Sequence, residues 1–405
     1  MGQLEAAYKY CPVWLQNMGI SLYGILWRRE RLGGRFGEFA AEFEARDRMD
    51  PAKFNGYVNA QLQSVLSAAF REAPYYRKKW AATGLTGAKL EQMTARDLEQ
   101  LPITPKADLR RDPDSFVLAH TASGGKVHRY LSSGSTGTPI TAICTSEDHQ
   151  RFIAAREVRS FRWAGSSIMD PRSMIGGRMV VPKGMANAPF HRYNWAERQV
   201  YFSAYHISPA SVPSYVAAMN RYQPALFTGY ANSHYLMARM MSEQGIRLGY
   251  EPKALVLSSE KLTVKMKEVI RMAFRARAFE EYGSVENCIL ATECEHGSLH
   301  VNPDFGILEI VDPEGNAVPP GVPGRVIATG LLNHTQPLIR YEIGDVAAWS
   351  AKKCACGRDH LPVIEEVIGR LEDVVIGPDR REMVRFHGIF VDLPHVLEGQ
   401  VIQEE

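Results

Sequence analysis

The sequence predicts an α/β fold, a large domain of parallel sheets flanked by helices plus a small mixed, barrel-like sheet. Two observations carry this. From Pro224 onward, short apolar runs alternate with amphipathic stretches: Ala225-Leu226-Phe227-Thr228, a helix from Asn232 to Gln244, Ala254-Leu255-Val256-Leu257, a helix from Val264 to Phe274, and Ala276 to Glu281. Strand and helix alternating over short connections require parallel pairing with right-handed crossovers. From His300 onward strands dominate, as Gly306 to Val311, Gly324 to Thr329 and Leu338 to Tyr341, with the turn Asp312-Pro313-Glu314-Gly315-Asn316 between the first two.

The earlier part of the chain reads as scaffold. At 405 residues with 45% hydrophobic and 23% charged side chains, the chain can bury a large core. A net charge of +2 gives no case for nucleic acid or a membrane surface, and no apolar run is long enough to span a bilayer. Trp14 to Trp27 is an interrupted apolar patch without a basic leader or cleavage site, expected to be a helix packed on the body or on a partner subunit. Pro51 to Lys106 is expected to be helical, with Tyr57, Leu62, Val65, Leu66, Ala69 and Phe70 at helical spacing and Pro74 ending the run. Thr145 stands three residues before Asp148 as a capping pair, and Glu147 to Trp163 continues as a further helix. Six cysteines in a chain this long do not form a disulfide framework, so the expected compartment is the cytoplasm.

Between two runs of strand character stands Ser132-Ser133-Gly134-Ser135-Thr136-Gly137-Thr138-Pro139. Its glycines let successive N–H groups point one way and its hydroxyls add donors, a cradle for phosphate oxygens; the alternative is a Ser/Gly-rich surface turn. It lacks the Gly-Lys-Ser/Thr helix start of a Walker loop. In parallel sheets ligands sit beyond the carboxyl ends of the strands. Those ends are Gly229-Tyr230, Ser258-Ser259-Glu260 and Tyr282-Gly283-Ser284-Val285-Glu286. Pro171 to Ala204, rich in Gly, Pro and aromatic residues, is a candidate substrate-side wall or a plain loop with an edge strand, and Tyr230, Trp195 and Tyr205 are the expected aromatic lining. Gly344 is expected to bend the chain and leave Asp345 at a loop, able to accept two hydrogen bonds from a ribose diol or to be a solvated turn residue.

The cysteines divide into two groups. Cys294 and His300 with Cys354-Ala355-Cys356-Gly357 supply the four ligands of a closed zinc site, His296 being the rival for the fourth position. The alternative is four ordinary residues near a surface loop. Cys11, Cys144 and Cys288 read as buried apolar residues.

Four stretches, in order, resemble motifs of the adenylate-forming superfamily, in particular its phenylacetate-CoA ligase and capsule-biosynthesis branch: Ser132 to Pro139, Tyr282 to Glu286, Arg340 to Asp345, and Gly369-Arg370-Leu371-Glu372-Asp373. The resemblance implies a large domain over 1–369, with 370–405 a hinge and the start of a truncated C-terminal domain. It implies that ATP activates a carboxylic acid, aromatic or arylacetic, as an acyl-adenylate that is passed to a thiol such as coenzyme A. Glu286, Arg370 and Thr136 would then be catalytic, Glu286 holding Mg²⁺. ATP would be bound by Ser132, Ser133, Gly134, Ser135, Thr136, Gly137, Thr138, Ser259, Glu260, Glu281, Tyr282, Gly283, Ser284, Asp345 and Arg370. The branch includes members with a zinc site at similar spacing, and a homodimer is expected. Ile140, Val285 and Glu342-Ile343 depart from the superfamily pattern, and the C-terminal adenylation lysine has no counterpart in the 36 residues after Gly369 (405 minus 369). Either that domain is cut short or the chain adenylates poorly. The alternatives are a nucleotide-binding homologue without catalysis, and an adenylating enzyme whose acceptor is a carrier-protein thiol or an amine.

Overall fold

The structure, a computed structural model, describes residues 8, 10–122, 127–132, 139–177, 180–182, 187–370, 374–376 and 382–384. The chain opens with helices α1 (Val13–Leu32), α2 (Phe36–Asp47) and α3 (Pro51–Glu72). Asp50 caps α3 by accepting from the N–H groups of Ala52 and Lys53, and Phe54, Val58, Leu62, Val65, Leu66 and Ala69 form its buried stripe. Pro74 ends the run as expected, since α3 stops at Glu72 with Ala73 as its C-cap. Pro74 also opens α4 (Pro74–Ala81), because a first-turn residue has no use for the N–H that proline lacks.

Strands β1 (Val127–Leu131) and β2 (Thr141–Thr145) form an antiparallel hairpin. The expected helix follows as α5 (Ser146–Arg156) and continues as a π-helical segment over Glu157–Arg162, and Asp148 in its first turn pairs with Arg151. Next come β3 (Arg172–Gly176), β4 (His191–Asn194), β5 (Gln199–Ser203), α6 (Val212–Tyr222), β6 (Leu226–Tyr230), α7 (Ala231–Glu243), β7 (Ala254–Ser258), α8 (Val264–Phe274) and β8 (Ala278–Gly283). The chain then runs through β9 (Leu290–Glu293), β10 (Leu299–Val301), β11 (Gly306–Val311), β12 (Gly324–Gly330), β13 (Tyr341–Trp349) and β14 (Val363–Arg370). The fold is α/β with sheets flanked by helices, as expected.

The contacts sort the chain into two compact units interleaved along the sequence: Met1–Met49, Ser146–Gly283 and Ala291–Leu299 in one, Asp50–Thr145, Ser284–Leu290 and His300–Glu405 in the other. In the first unit five parallel strands lie in the order β8, β7, β6, β3, β5, with β4 antiparallel at the edge. The connection from β3 goes to one side and the later strands to the other, so a topological switch point falls between β3 and β6. There the two strands approach so closely that a Cβ on Gly229 would lie 1.9 Å from the Ile175 carbonyl oxygen, and Gly229 has φ +121°. Only glycine fits.

The second unit holds the β1–β2 hairpin and an antiparallel sheet of β11, β12, β13 and β14 with three register shifts. Its helical side packs Tyr75, Tyr76, Trp80 and Phe116 into one aromatic cluster. The fully buried Tyr76 hydroxyl donates to the Pro337 carbonyl and accepts from the Ile339 N–H. Leu338 to Arg340 is therefore not the predicted strand: Pro337 lacks a donor, Arg340 has φ +43°, and the strand begins only at Tyr341.

The core of the first unit contains an acid-sensitive group. His234 on α7 is fully buried against Phe227 and Phe274, and its Nδ1 lies 2.7 Å from the Tyr230 carbonyl oxygen. Burial lowers its pKa from 6.5 to about 4. Below the unfolded value the unfolded chain takes up a proton that the folded chain excludes, so this contribution to stability is whole above pH 6.5 and falls between 6.5 and about 4. His234→Gln, which keeps a donor for the carbonyl, should remove about 2 kcal/mol of the stability difference between roughly pH 7 and pH 5, read from urea melts at the two values.

Candidate functional site

In the first unit, the carboxyl ends of the parallel strands gather part of the expected site. Tyr230 ends β6, and Tyr205 follows β5 in a 3-10 turn that Ser203 caps through its hydroxyl. Both phenols converge on Gly177, just past β3: the Tyr205 hydroxyl donates to the Gly177 carbonyl oxygen at 3.0 Å, and a Cβ on Gly177 would lie 2.5 Å from the Tyr230 hydroxyl. This is the switch point of the sheet. Trp195 does not belong there. It sits in the turn that leads from β4 into β5, so it lies at the amino end of the parallel sheet, opposite to Tyr205 and Tyr230.

The acidic and hydroxyl residues at the other strand ends are partly engaged. Ser259 is exposed with φ +70°. The Glu260 carboxylate accepts from the Asn232 N–H at 2.8 Å, which places it at the start of α7 as a helix cap. Glu281 is buried in a two-bond ion pair with Arg156, at 2.7 and 3.0 Å, so its carboxylate is committed to holding β8 against α5. Tyr282 is half-buried and Gly283 exposed at the end of β8.

In the second unit, Glu286 is 5% exposed and accepts a hydrogen bond from the Tyr341 hydroxyl at 3.0 Å. Burial, reinforced by the Glu286 charge, raises the Tyr341 pKa far above 10, so the phenol stays a neutral donor. Among the described residues no cation pairs with Glu286. Two cations nevertheless stand nearby on the helix Lys106–Arg111. Lys106 Nζ donates to the Ile343 carbonyl oxygen at 2.8 Å and its charge acts on Cys288, while the Arg110 charge acts on Tyr341. Arg110 Nε is buried without a hydrogen-bond partner among the described residues. Ser284 stands 3.8 Å from the Cys288 sulfur.

Asp345 lies in β13 and not in the predicted loop, because the Gly344 bend, at φ +89°, is absorbed as an irregularity of the strand. The β13–β14 register sets Asp345 opposite Arg370, so pairing brings two expected nucleotide residues together. Arg340 of the same motif is structural: it is buried and binds the Glu309 carboxylate and the carbonyls of Glu99 and Leu101. Ser132 closes the base of the hydroxyl-rich loop, its N–H donating to the Ile140 carbonyl oxygen and its hydroxyl accepting from the Ile140 N–H. Ser133, Gly134, Ser135, Thr136, Gly137 and Thr138 lie outside the described residues, as do Leu371 to Asp373 and the side chain of Arg370.

The expected metal ligands come together. Ligand atoms of Cys294, His300, Cys354 and Cys356 all lie within 4.8 Å of one another. The Cys294 N–H bonds to the Ser298 carbonyl, closing the hairpin turn that leads into His300. His300 Nδ1 faces the Leu361 carbonyl oxygen at 2.9 Å, which fixes the proton there and leaves Nε2 toward the Cys356 sulfur at 3.3 Å. His296 is no rival: its side chain is exposed, and its backbone N–H donates to the Cys294 sulfur at 3.4 Å. Cys144 and Cys288 are buried as expected, whereas Cys11 is only half-buried.

Sequence reasoning missed Lys106 and Arg110. A lysine in the first turn of a helix opposes the positive end of the helix dipole, and that mismatch was the available signal.

No family model matches the chain. It is 27% identical over 371 residues to Protein CapK of Staphylococcus aureus, a match covering 91% of this chain and 78% of that protein. It is 25% identical over 334 residues to a phenylacetate-coenzyme A ligase of Thermus thermophilus, covering 80% and 72%. Among solved structures, 2-hydroxyisobutyryl-CoA ligase in its postadenylation state with an acyl-AMP matches with a TM-score of 0.66 at 22% identity, over 84% of this chain and 72% of that one. An open form of the same ligase, with 2-HIB-AMP and CoA, matches at 0.62 over 82% and 78%. The relatives fall in the branch that the four motifs resemble, and the structures show the same fold.

The Glu286–Tyr341 bond is open to direct measurement. Tyr341→Phe removes the phenol from a buried carboxylate while conserving the ring, and should lower unfolding free energy by roughly 1–3 kcal/mol in denaturant titrations.

Proposed function

We propose that this chain, whose relatives and fold are those of adenylate-forming ligases, is an ATP-dependent acid–thiol ligase. The carboxylate of an acid attacks the α-phosphorus of ATP, pyrophosphate leaves, and a thiol such as that of coenzyme A then attacks the acyl carbon and releases AMP. The relatives named as phenylacetate-coenzyme A ligases and the fold neighbour that binds an acyl-AMP and CoA support this class of reaction. The observation that carries it is Glu286, a carboxylate desolvated beside a neutral phenol and without an ion-pair partner among the described residues. An unpaired buried carboxylate is costly, and a divalent cation on nucleotide phosphates compensates it.

The other residues divide the work. Lys106 and Arg110 supply fixed positive charge for phosphate oxygens. Asp345 accepts hydrogen bonds from the ribose diol, with Arg370 across from it in the sheet, and the loop from Ser132 to Thr138 receives the outer phosphates. The substrate carboxylate is itself the nucleophile, so no side chain has to serve as one. Tyr205 and Tyr230 bring two phenols to the switch point, which suits an aromatic or arylacetic acid. Mg²⁺ at Glu286 would neutralise charge on the departing pyrophosphate.

Glu286→Gln keeps an acceptor for the Tyr341 hydroxyl, so thermal stability should hold while acid-dependent ATP–pyrophosphate exchange falls by several orders of magnitude. ATP binding by calorimetry with no exchange for any acid in an aryl and aliphatic panel would assign the chain to the non-catalytic reading.

The cysteine cluster fits zinc. Three sulfurs and one imidazole nitrogen, its tautomer fixed by Leu361, match a closed structural shell with no position for water. Its role is to hold the Cys294–His300 hairpin to the Cys354–Cys356 loop. Elemental analysis of protein purified without chelator should find about one zinc per chain, and Cys356→Ser should lose it together with several degrees of melting temperature. Absence of zinc from the wild-type protein would refute the assignment.

A further inference from the structure

Helix α1 turns its polar side inward. Gln16, Ser21 and Gly24 are its buried residues. Ser21 accepts from the Trp195 N–H at 3.1 Å, Asn17 accepts from the Tyr193 N–H at 3.0 Å, and Gln16 accepts from Arg192, so the helix satisfies the free edge of β4 with side chains. Much of its apolar surface faces out, while Val13, Leu15, Ile20 and Trp27 are half-buried. Trp14, Met18, Leu22 and Leu26 follow one another every four residues, with Tyr23 and Ile25 beside them, and all six are between 44% and 67% exposed. Val13 to Trp27 contains no charged residue.

An amphipathic helix that buries polar groups and exposes this much apolar surface marks an interaction site. Its surroundings select the occupant. Exposed aromatic Trp14 and Tyr23 share the helix with exposed Met18, Leu22, Ile25 and Leu26, and exposed Met169 and Trp195 line a cleft with Ile25. At the end of the helix Arg28 and Arg29 are exposed and pair with no carboxylate among the described residues, and both line a cleft of about 430 Å³ with Ile25, Leu32, Met169 and Trp195. A second copy packed antiparallel would set these two guanidinium groups against the uncharged stretch at Trp14, where no carboxylate stands among the described residues. Phosphate headgroups supply an anion. Amphipathic aromatic side chains beside aliphatic ones, with arginines at the end of the helix, suit the plane between headgroup and acyl chain.

We propose that α1 seats the protein on an anionic lipid surface, lying in the interface with Leu22 and Leu26 immersed and Arg28 and Arg29 on headgroup phosphates. No helix among the described residues is long and apolar enough to cross a membrane, so the contact is one of lying on the bilayer. The overall net charge of +2 hides it, because the feature is local.

Flotation with vesicles of equal parts phosphatidylglycerol and phosphatidylcholine tests this, independently of catalysis. The wild-type protein should float with these vesicles and bind pure phosphatidylcholine at least tenfold more weakly, with binding falling as salt rises. The pair Leu22→Asp and Leu26→Asp should reduce the bound fraction roughly tenfold or more, and Arg28→Glu with Arg29→Glu should erase the preference for phosphatidylglycerol. All four residues are exposed, so circular dichroism should stay unchanged in both variants; the arginine variant also loses the Arg28 hydrogen bond to the Ala196 carbonyl, so its melting temperature should fall by no more than a few degrees. Wild-type protein that ignores the vesicles, or flotation that both variants keep, overturns the proposal. So does a dimer in solution that the leucine pair dissolves while the wild type leaves vesicles alone, which would give the face to a second copy.

Discussion

A parallel strand pair with no room for a side chain sets the geometry of the first unit. Gly229 passes within van der Waals reach of the Ile175 carbonyl, and any Cβ would force β6 away from β3. Close pairing at this point lets the two strands end side by side, and the phenols of Tyr230 and Tyr205 meet over Gly177 as a result. The same strand end is tied from beneath, where buried His234 on the next helix lies against the Tyr230 carbonyl. Packing, backbone hydrogen bonding and the candidate acid pocket therefore rest on one glycine.

The second unit is organised by buried polar groups that find partners. Arg340 ties the segment before β13 to Glu309 and to two carbonyls, and Tyr76 satisfies both Pro337 and Ile339. With these in place β13 starts at Tyr341, whose hydroxyl then reaches Glu286. The motif arginine is thus part of the frame, and the glutamate it indirectly positions has no ionic partner among the described residues.

Glu260 and Glu281 illustrate the opposite outcome. Both stand at strand ends where sequence alone places ligand chemistry, yet one caps a helix and the other pairs with Arg156. A carboxylate's identity does not reveal its partner. The partners come from α7 and α5, at distances along the chain that no local pattern records.

The sequence by itself determined the strand–helix alternation, the identity of the strand ends, the order of the four motifs and the four metal-ligand candidates. Each is local: periodicity, turn chemistry and ligand spacing act over a few residues. Tertiary structure decided which of these residues meet. It chose His300 over His296 because the turn sends one ring inward and the other into solvent, and it moved Trp195 to the far end of the sheet because β4 enters antiparallel. It gave Lys106 its place beside the Glu286 segment, and it turned the polar side of α1 toward the edge of β4. Composition records how many apolar residues the chain has, but only the pairing needs of a distant strand edge decide which face of a helix is buried.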